Sequence, residues 1–313
     1  MQGSFDINIA VLLGGNSPER EISLRSGDAI ANALIKLGHK VTKIDAILNE
    51  IEDTDFGSYD NVFIALHGGD GENGNVQAVL DKKGIPYTGS GPQASLLCLD
   101  KILTKQILNA NNILTPKQII LNKDNLLNFE FLEKNIPCVL KPRFGGSSIG
   151  LNIIKKKNDI FDALKNILEF GNDIIIERYI RGRELTVGIL GDRALPIVEI
   201  IPKNDFYDFD AKYCNKKTLY VTNPDVFGLD SAIQKTALDA FNYLGCSDFA
   251  RADFILDNNK NYYFLEMNSI PGFTESSLLP KAAKSAGINF EELCEIILRK
   301  KKLEYAAFFK KNT

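Results

Sequence analysis

The chain has 313 residues, 44% hydrophobic and 25% charged, which is ordinary for a globular protein and excludes disorder and collagen-like structure. Thirty-seven basic against 40 acidic side chains give a formal net charge of −3, without the basic excess of a nucleic-acid binder. Five scattered cysteines with no Cys-x-x-Cys pair, and only two histidines, His39 and His67, exclude a disulfide framework and a thiolate or histidine zinc site and fit a reducing cytoplasm.

The opening MQGSFDINIAVLLGG lacks a basic n-region, so residues 7–13 read as a buried first strand rather than a signal peptide. No apolar run anywhere approaches the ~18 residues needed to span a bilayer, so no membrane partner is expected. A helix is predicted from about Glu19 to Leu37, with Gly38 as its stop. HKVTKID and NVFIAL read as strands, about 75–83 as a short helix and IPYTG as another strand; this alternation predicts a doubly wound parallel sheet. The middle third reads as a small α+β unit: one helix over about 93–110, strand 116–121, a short helix, strand CVLKP, a Gly/Ser loop, strand 151–154, a helix near 158–170 and strand IIIERYI. The last third opens with strands near 184–190 and 193–201. Residues ~203–227 show neither period, which is long for a plain connection and suits a lid. Helix 230–244, a hairpin and two closing helices follow, the basic C-terminal RKKKLEYAAFFKKN reading as a solvated helix end.

Three glycine patterns mislead. Gly69 to Gly74 and Gly89 to Ala94 match dinucleotide fingerprints, but neither follows the first strand; in the first, Asp70 and Glu72 would repel a pyrophosphate, and the second has no ribose-binding acid about 20 residues on. Gly146-Ser147-Ser148-Ile149-Gly150 matches a nucleophile elbow, yet both histidines precede Ser148, the wrong order for that hydrolase fold. The whole segment Lys141 to Gly150 reads better as a phosphate loop. A lysine ends a strand, glycines let backbone N–H groups approach an anion, and hydroxyls add donors.

Residues 249–256 and 261–268 flank the turn Asp257 to Lys260. A hairpin closed symmetrically about Asn258–Asn259 sets Arg251 opposite Glu266, Asp253 opposite Phe264 and Phe249 opposite Asn268. The period of 2 then puts Arg251, Asp253, Glu266 and Asn268 on one face, with Tyr263, Leu265 and Met267 on the core face. Two carboxylates and an amide oxygen are hard-cation ligands suited to Mg²⁺ shared with phosphate. The alternative is a solvated face with an Arg251–Glu266 pair. The apolar strand that ends in Glu177-Arg178-Tyr179-Ile180 can offer backbone groups to a flat base, with Glu184 set for ribose hydroxyls; the alternative, and the more common case, is a plain strand with a surface glutamate.

Taken together, residues 14–24, His67-Gly68 with 71–74, Leu99-Asp100-Lys101, 141–150, Tyr207-Asp208 with Ala211-Lys212-Tyr213, 250–254, 266–268 with 271–274, and Ser277-Leu278 resemble the ATP-grasp superfamily and, within it, the D-alanine–D-alanine ligase family. The resemblance implies an ATP-grasp fold, α/β and α+β, with an N-terminal doubly wound parallel-sheet domain. It implies a substrate domain over 1–89, a central ATP-grasp unit over 90–180 and a catalytic unit over 181–313. ATP would phosphorylate the first D-alanine, and the second would attack the acyl phosphate. The product would feed peptidoglycan synthesis in a bacterial cytoplasm, and the enzyme would be a homodimer.

The same resemblance assigns roles. Lys101, Lys141, Ser148, Glu177, Tyr179, Ile180 and Glu184 would bind ATP, and Asp253, Glu266 and Asn268 two Mg²⁺ or Mn²⁺. Arg251 and the Gly272 N–H would stabilise the oxyanion. Glu19 would anchor the first ammonium, with His67 near that substrate's carboxylate. Ser277, Leu278 and Lys212 would serve the second substrate, and Glu19, Ser147 and Tyr213 would close the lid. Tyr179, Phe209 and Phe273 stand where the family usually carries an indole, a tyrosine and a methionine.

Overall fold

The computed structural model describes residues 7–121, 133–146, 150–171, 173–202 and 218–299. The lid residues 203–217, with Lys212 and Tyr213, and the loop residues Ser147 and Ser148 lie outside the described residues, as does the C-terminal segment from 300 onward.

The first strand, β1 (Asn8–Leu13), runs parallel to β2 (Lys40–Asp45) on one side and β3 (Asn61–Ile64) on the other. From Ile9 on, its side chains alternate between two cores, which is why its sequence is apolar from Ile9 to Leu13. Ile9, Val11 and Leu13 pack with Ile30 and Leu34 of α1 (Arg20–Lys36). Ala10 and Leu12 face the other way, toward Ile51 of α2 (Leu48–Asp53) and toward Val76 and Leu80, beyond the helical turn α3 (Gly69–Glu72), in α4 (Asn75–Lys82). The segment IPYTG contributes only a parallel bridge between Val62 and Tyr87 rather than a strand.

The helix expected over 93–110 is two helices, α5 (Pro92–Leu99) and α6 (Lys101–Ala110). Asp100 separates them in extended backbone and caps α6, its Oδ1 accepting from the N–H groups of Ile102 and Leu103 at 3.0 and 3.1 Å. Such a cap contributes about 1 kcal/mol. Its other oxygen accepts two hydrogen bonds from Arg143, tying α6 to the loop after the next sheet's first central strand. That sheet is antiparallel, in the order β4 (Gln118–Leu121), β7 (Ile174–Arg178), β5 (Cys138–Pro142), β6 (Asn152–Ile154). One face, with Cys138, Leu140, Ile154 and Ile176, buries against Ile160, Leu164 and Ile167 of α7 (Ile160–Ile167). The alternation leaves Val139, Lys141 and Glu177 on the other face.

The third sheet takes the order β11 (Leu219–Thr222), β10 (Val198–Ile201), β8 (Gly182–Leu190), β12 (Phe249–Asp257), β13 (Tyr262–Asn268), with β9 (Arg193–Ala194) beside β8. Part of the aperiodic stretch 203–227 is therefore a strand, β11. Three of its four side chains are exposed, so no apolar alternation marks it. Helix α8 (Asp230–Tyr243) lays Ile233, Ala237, Ala240 and Phe241 on Leu185, Val187, Ala252 and Phe254. Helix α9 (Leu278–Ser285) and the last helix among the described residues, α10, over 290–299, join Leu190, Phe249 and Phe273 in the core that begins at β1.

The hairpin register differs from the symmetric closure. Arg251 stands opposite Asn268 and Asp253 opposite Glu266; then the register shifts, and Phe254 stands opposite Phe264. Leu265 is the extra residue of this β-bulge. The bulge keeps Arg251, Asp253, Glu266 and Asn268 on one face but changes the other. Phe264 and Tyr262 turn into the core in place of Leu265 and Tyr263, and Leu265 lines a cavity. Phe264 packs edge-on against Phe254, with ring centroids 5.4 Å apart, a contact that a symmetric hairpin cannot make.

Candidate active site

Two cavities hold every described residue assigned a site role above. The larger, about 320 Å³, lies between the free faces of the second and third sheets. Lys101, Lys141, Glu177, Tyr179, Ile180, Glu184, Asp253 and Glu266 line it. The smaller, about 160 Å³, is lined by Glu19, His67, Arg251, Asn268, Gly272, Ser277 and Leu278. Gly146 borders both, so the glycine loop after β5 stands between them.

Positive charge concentrates in the larger cavity. Lys101 leads α6, and Lys105, one turn later, faces the same way. Lys105 was not singled out in the sequence, yet it is fully buried and ion-paired to Glu177. Lys141 reaches the other oxygen of Glu177 at 3.0 Å. Burial alone would raise the Glu177 pKa, but the two ammonium groups outweigh it and hold this carboxyl down at about 2. Burial lowers the pKa of Lys101, and of Lys105 to about 8, with neighbouring lysines adding to the effect. Lys141 is also opposed by burial, but Glu177 and Glu266 outweigh it and its pKa rises. Three ammonium groups around one carboxylate leave this cavity wall with an excess of positive charge, suited to a polyanion.

Opposite stands the acidic face of the hairpin. Arg251 forms a two-pronged pair with Asp253, two residues along its own strand, at 2.8 and 2.7 Å. Thr186 on β8 donates its hydroxyl to Asp253 Oδ1 at 2.7 Å, and Asn268 donates its side-chain amide to Oδ2 at 3.2 Å. That bond does not use the amide oxygen of Asn268. The donor set therefore fits a hard divalent cation: two carboxylates and an amide oxygen on one face. Among the described residues no three His, Cys, Asp or Glu side chains cluster to hold a metal by themselves, so a cation here would need oxygens from another source, such as a phosphate.

The smaller cavity gathers its groups from distant parts of the chain. Glu19 precedes α1 and lies against Gly68, where the backbone has φ 66° and an added Cβ would sit 2.6 Å from the Glu19 carboxylate. Only glycine combines that conformation with that approach. Glu72 joins Glu19 in the same wall; burial first, then repulsion from Glu19, raises its pKa to about 8. His67 is nearly fully buried, and desolvation lowers its pKa to about 4, so its ring is neutral at pH 7. Ser277 accepts from the N–H of Thr274 at 3.0 Å and packs beside Gly272. Phe273, after Gly272, sits edge-on to Phe63 and Phe249, which gives an aromatic ring a complementary socket at that position. No helix among the described residues is long and apolar enough to cross a membrane.

Comparison with known proteins gives a consistent picture. The family model described as D-ala D-ala ligase C-terminus matches residues 108–299, and that described as D-ala D-ala ligase N-terminus matches residues 38–90. A D-alanine–D-alanine ligase of Carboxydothermus hydrogenoformans is 43% identical over 303 residues, covering 93% of this chain and 97% of that protein. The crystal structure of D-alanine–D-alanine ligase from Bacillus anthracis complexed with ATP superposes with a TM-score of 0.83 at 34% identity, covering 95% of this chain and 98% of that one. The VanG D-Ala:D-Ser ligase of Enterococcus faecalis superposes with a TM-score of 0.80 at 26% identity, covering 94% and 98%.

Proposed function

Because the chain belongs to the D-alanine–D-alanine ligase family, we propose that it joins two D-alanines, converting ATP to ADP and phosphate and releasing D-alanyl-D-alanine. One observation carries this reading: a lysine-walled cavity facing two carboxylates opens across a glycine loop onto a second chamber that holds Glu19, Arg251 and Gly272. A polyanionic donor and a small zwitterion thus have adjoining places.

In this reading ATP fills the larger cavity. Tyr179, Ile180 and Leu265 flank the base, Glu184 meets the ribose, and Lys101 and Lys141 meet the phosphates, with the 145–150 loop supplying backbone donors and Ser148. Two Mg²⁺ or Mn²⁺ ions held by Asp253, Glu266 and Asn268 would supply further charge neutralisation at the phosphate oxygens. Glu19 anchors the first ammonium, so that carboxylate points toward the lysines. A carboxylate is a poor acyl donor; transfer of the γ-phosphoryl makes an acyl phosphate, whose phosphate can leave. The amine of the second D-alanine, held by Ser277 and Leu278 with Lys212, attacks that carbonyl. Arg251 and the Gly272 N–H receive the oxyanion, a donor of this kind being worth ~3 kcal/mol in other enzymes. Closure by Ser147 and Tyr213 against Glu19 keeps water from the acyl phosphate. Three functional units, 1–89, 90–180 and 181–313, a homodimer and a bacterial cytoplasmic location complete the reading.

A second reading is D-serine as the second substrate, favoured by the likeness to a D-Ala:D-Ser ligase. Phosphate release from ATP and Mg²⁺, measured with D-alanine alone and with D-alanine plus D-serine, D-lactate or L-alanine, separates the two. Release with D-alanine alone, and the dipeptide by mass spectrometry, is the expected result. No release with D-alanine, or release only when D-serine is added, would sink the first reading.

A further inference from the structure

Both ring nitrogens of His67 are engaged. Nδ1 lies 3.0 Å from the carbonyl oxygen of Ile270, and Nε2 lies 2.9 Å from the hydroxyl of Ser26. A carbonyl oxygen only accepts, so Nδ1 carries the proton. The ring is neutral, so Nε2 carries a lone pair and the Ser26 hydroxyl must donate to it. The Ser26 oxygen then has lone pairs to accept from the N–H of Phe273, 3.1 Å away. Each bond fixes the direction of the next. The chain runs from Phe273 N–H to Ser26, from Ser26 to His67, and from His67 to the Ile270 carbonyl.

Its two ends fall on one short segment, Ile270 to Phe273, and they bracket Gly272. Ser26 is wholly buried in α1 and His67 almost so, and both border the smaller cavity. The Phe273 side chain is locked as well, between Phe63, Phe249 and Phe290. Orientation matters because an oxyanion donor acts only when its N–H points at the developing charge.

We propose that Ser26 and His67 form a clamp that sets the direction of the Gly272 N–H, so that both are positioning residues and the Nδ1–H of His67, held by the Ile270 carbonyl, is not given to a substrate carboxylate. The hydrogen bonds place Nδ1 as a donor and tie Ser26 to both His67 and Phe273, and the desolvated, neutral ring makes Nε2 the acceptor; the effect on rate rests on the oxyanion role proposed for Gly272. Ser26 thereby couples the N-terminal helix to a loop almost 250 residues away in sequence.

Two histidines make the test direct. In the full-length protein at pH 7, the His39→Gln variant leaves one imidazole, whose ¹⁵N shifts report its tautomer. The expected spectrum has a protonated Nδ1 and an unprotonated Nε2; a protonated Nε2, or a ring averaging between tautomers, would overturn the clamp. Ser26→Ala should lower kcat for D-alanine-dependent phosphate release about 10-fold or more, with KM for ATP within twofold and a single cooperative melting transition retained at a lower midpoint, because two buried groups lose their partner. Ser26→Cys, which keeps a weak donor, should recover part of kcat. A Ser26→Ala kcat within twofold of the parent, or an equal loss in ATP affinity, would overturn the positioning role. A parent that releases no phosphate with D-alanine would overturn the proposed reaction instead, and the ring spectrum would still decide the clamp.

Discussion

Arg251 and Asp253, two residues apart on one strand, hold each other in a two-pronged ion pair. The pair sits where the proposed cation site meets the proposed oxyanion site. It gives Arg251 a fixed aim and occupies the very carboxylate that a cation would need. The free protein should therefore bind Mg²⁺ weakly by itself and tightly only when a nucleotide adds oxygens. Calorimetry with Mg²⁺ alone, and with Mg²⁺ plus a non-hydrolysable ATP analogue, measures this; equal affinity in both titrations would refute it. Glu266→Gln keeps shape and removes one charge, so it should fold normally and lose at least 100-fold in kcat. A folded variant with near-normal turnover would remove Glu266 from the cation site.

Glu177 has one partner too many for a simple ion pair. Lys105 and Lys141 share its two oxygens, and all three side chains are buried. Breaking a buried pair from one side is costly, on the order of 3–5 kcal/mol. Glu177→Gln should thus lower the melting midpoint clearly and weaken ATP binding together, because two lysines would lose their anchor. Lys105→Met should cost less, since Glu177 keeps Lys141. Equal midpoints for both variants and the parent would show that the network contributes nothing to stability.

Much of this site was legible in the sequence because its geometry is periodic. The period of 2 placed Arg251, Asp253, Glu266 and Asn268 on one face, and the structure has them there. The buried first strand and its helix follow from apolar pattern in the same way. The register was not legible, because a bulge at Leu265 costs little locally and is repaid by tertiary packing of Phe264. Nor was the break at Asp100, where a cap inside a helical pattern looks like an ordinary surface residue until Arg143 is placed beside it. Lys105 carries a signal of its own: it stands four residues after Lys101, on the same helix face. Ser26 had none, since a small polar residue within a helix points to nothing until its partners from 67 and 273 arrive.

Glu72 predicts how the smaller chamber responds to pH. Its ordinary pKa of 4.5 rises to about 8 in the fold, through burial and then Glu19. Between those values the unfolded chain has lost this proton while the folded chain keeps it. The folded state binds more protons, so Glu72 makes the free protein less stable as pH rises from about 4.5 to 8. Glu72→Gln cannot ionise; its melting midpoint should exceed that of the parent at pH 8 and differ less at pH 5. A bound ammonium beside Glu19 and Glu72 would favour the ionised form, so D-alanine binding at pH 7 should release a proton. Calorimetry in two buffers of different ionisation enthalpy counts it, and an unchanged proton count in Glu72→Gln would assign the release elsewhere.

Gly272 offers a test of the proposed oxyanion role that leaves the fold alone. Its backbone lies outside the left-handed region, so alanine can adopt the same conformation without strain. An added Cβ would meet Ser277 Oγ at 3.3 Å, a contact tight enough to move that hydroxyl by a few tenths of an ångström. Ser277 is fixed by the Thr274 N–H at 3.0 Å and the Thr274 hydroxyl at 2.9 Å, so the push passes into the turn that follows Gly272. The larger cavity shares no wall with Ser277 and should be unaffected. Gly272→Ala should therefore keep its melting midpoint and its KM for ATP, raise KM for the second D-alanine several-fold and lower kcat about 10-fold. The two D-alanine sites are separated by fitting initial rates over a wide range of D-alanine concentration. A variant whose defect lies wholly in ATP binding would place Ser277 and Gly272 outside the acceptor chamber.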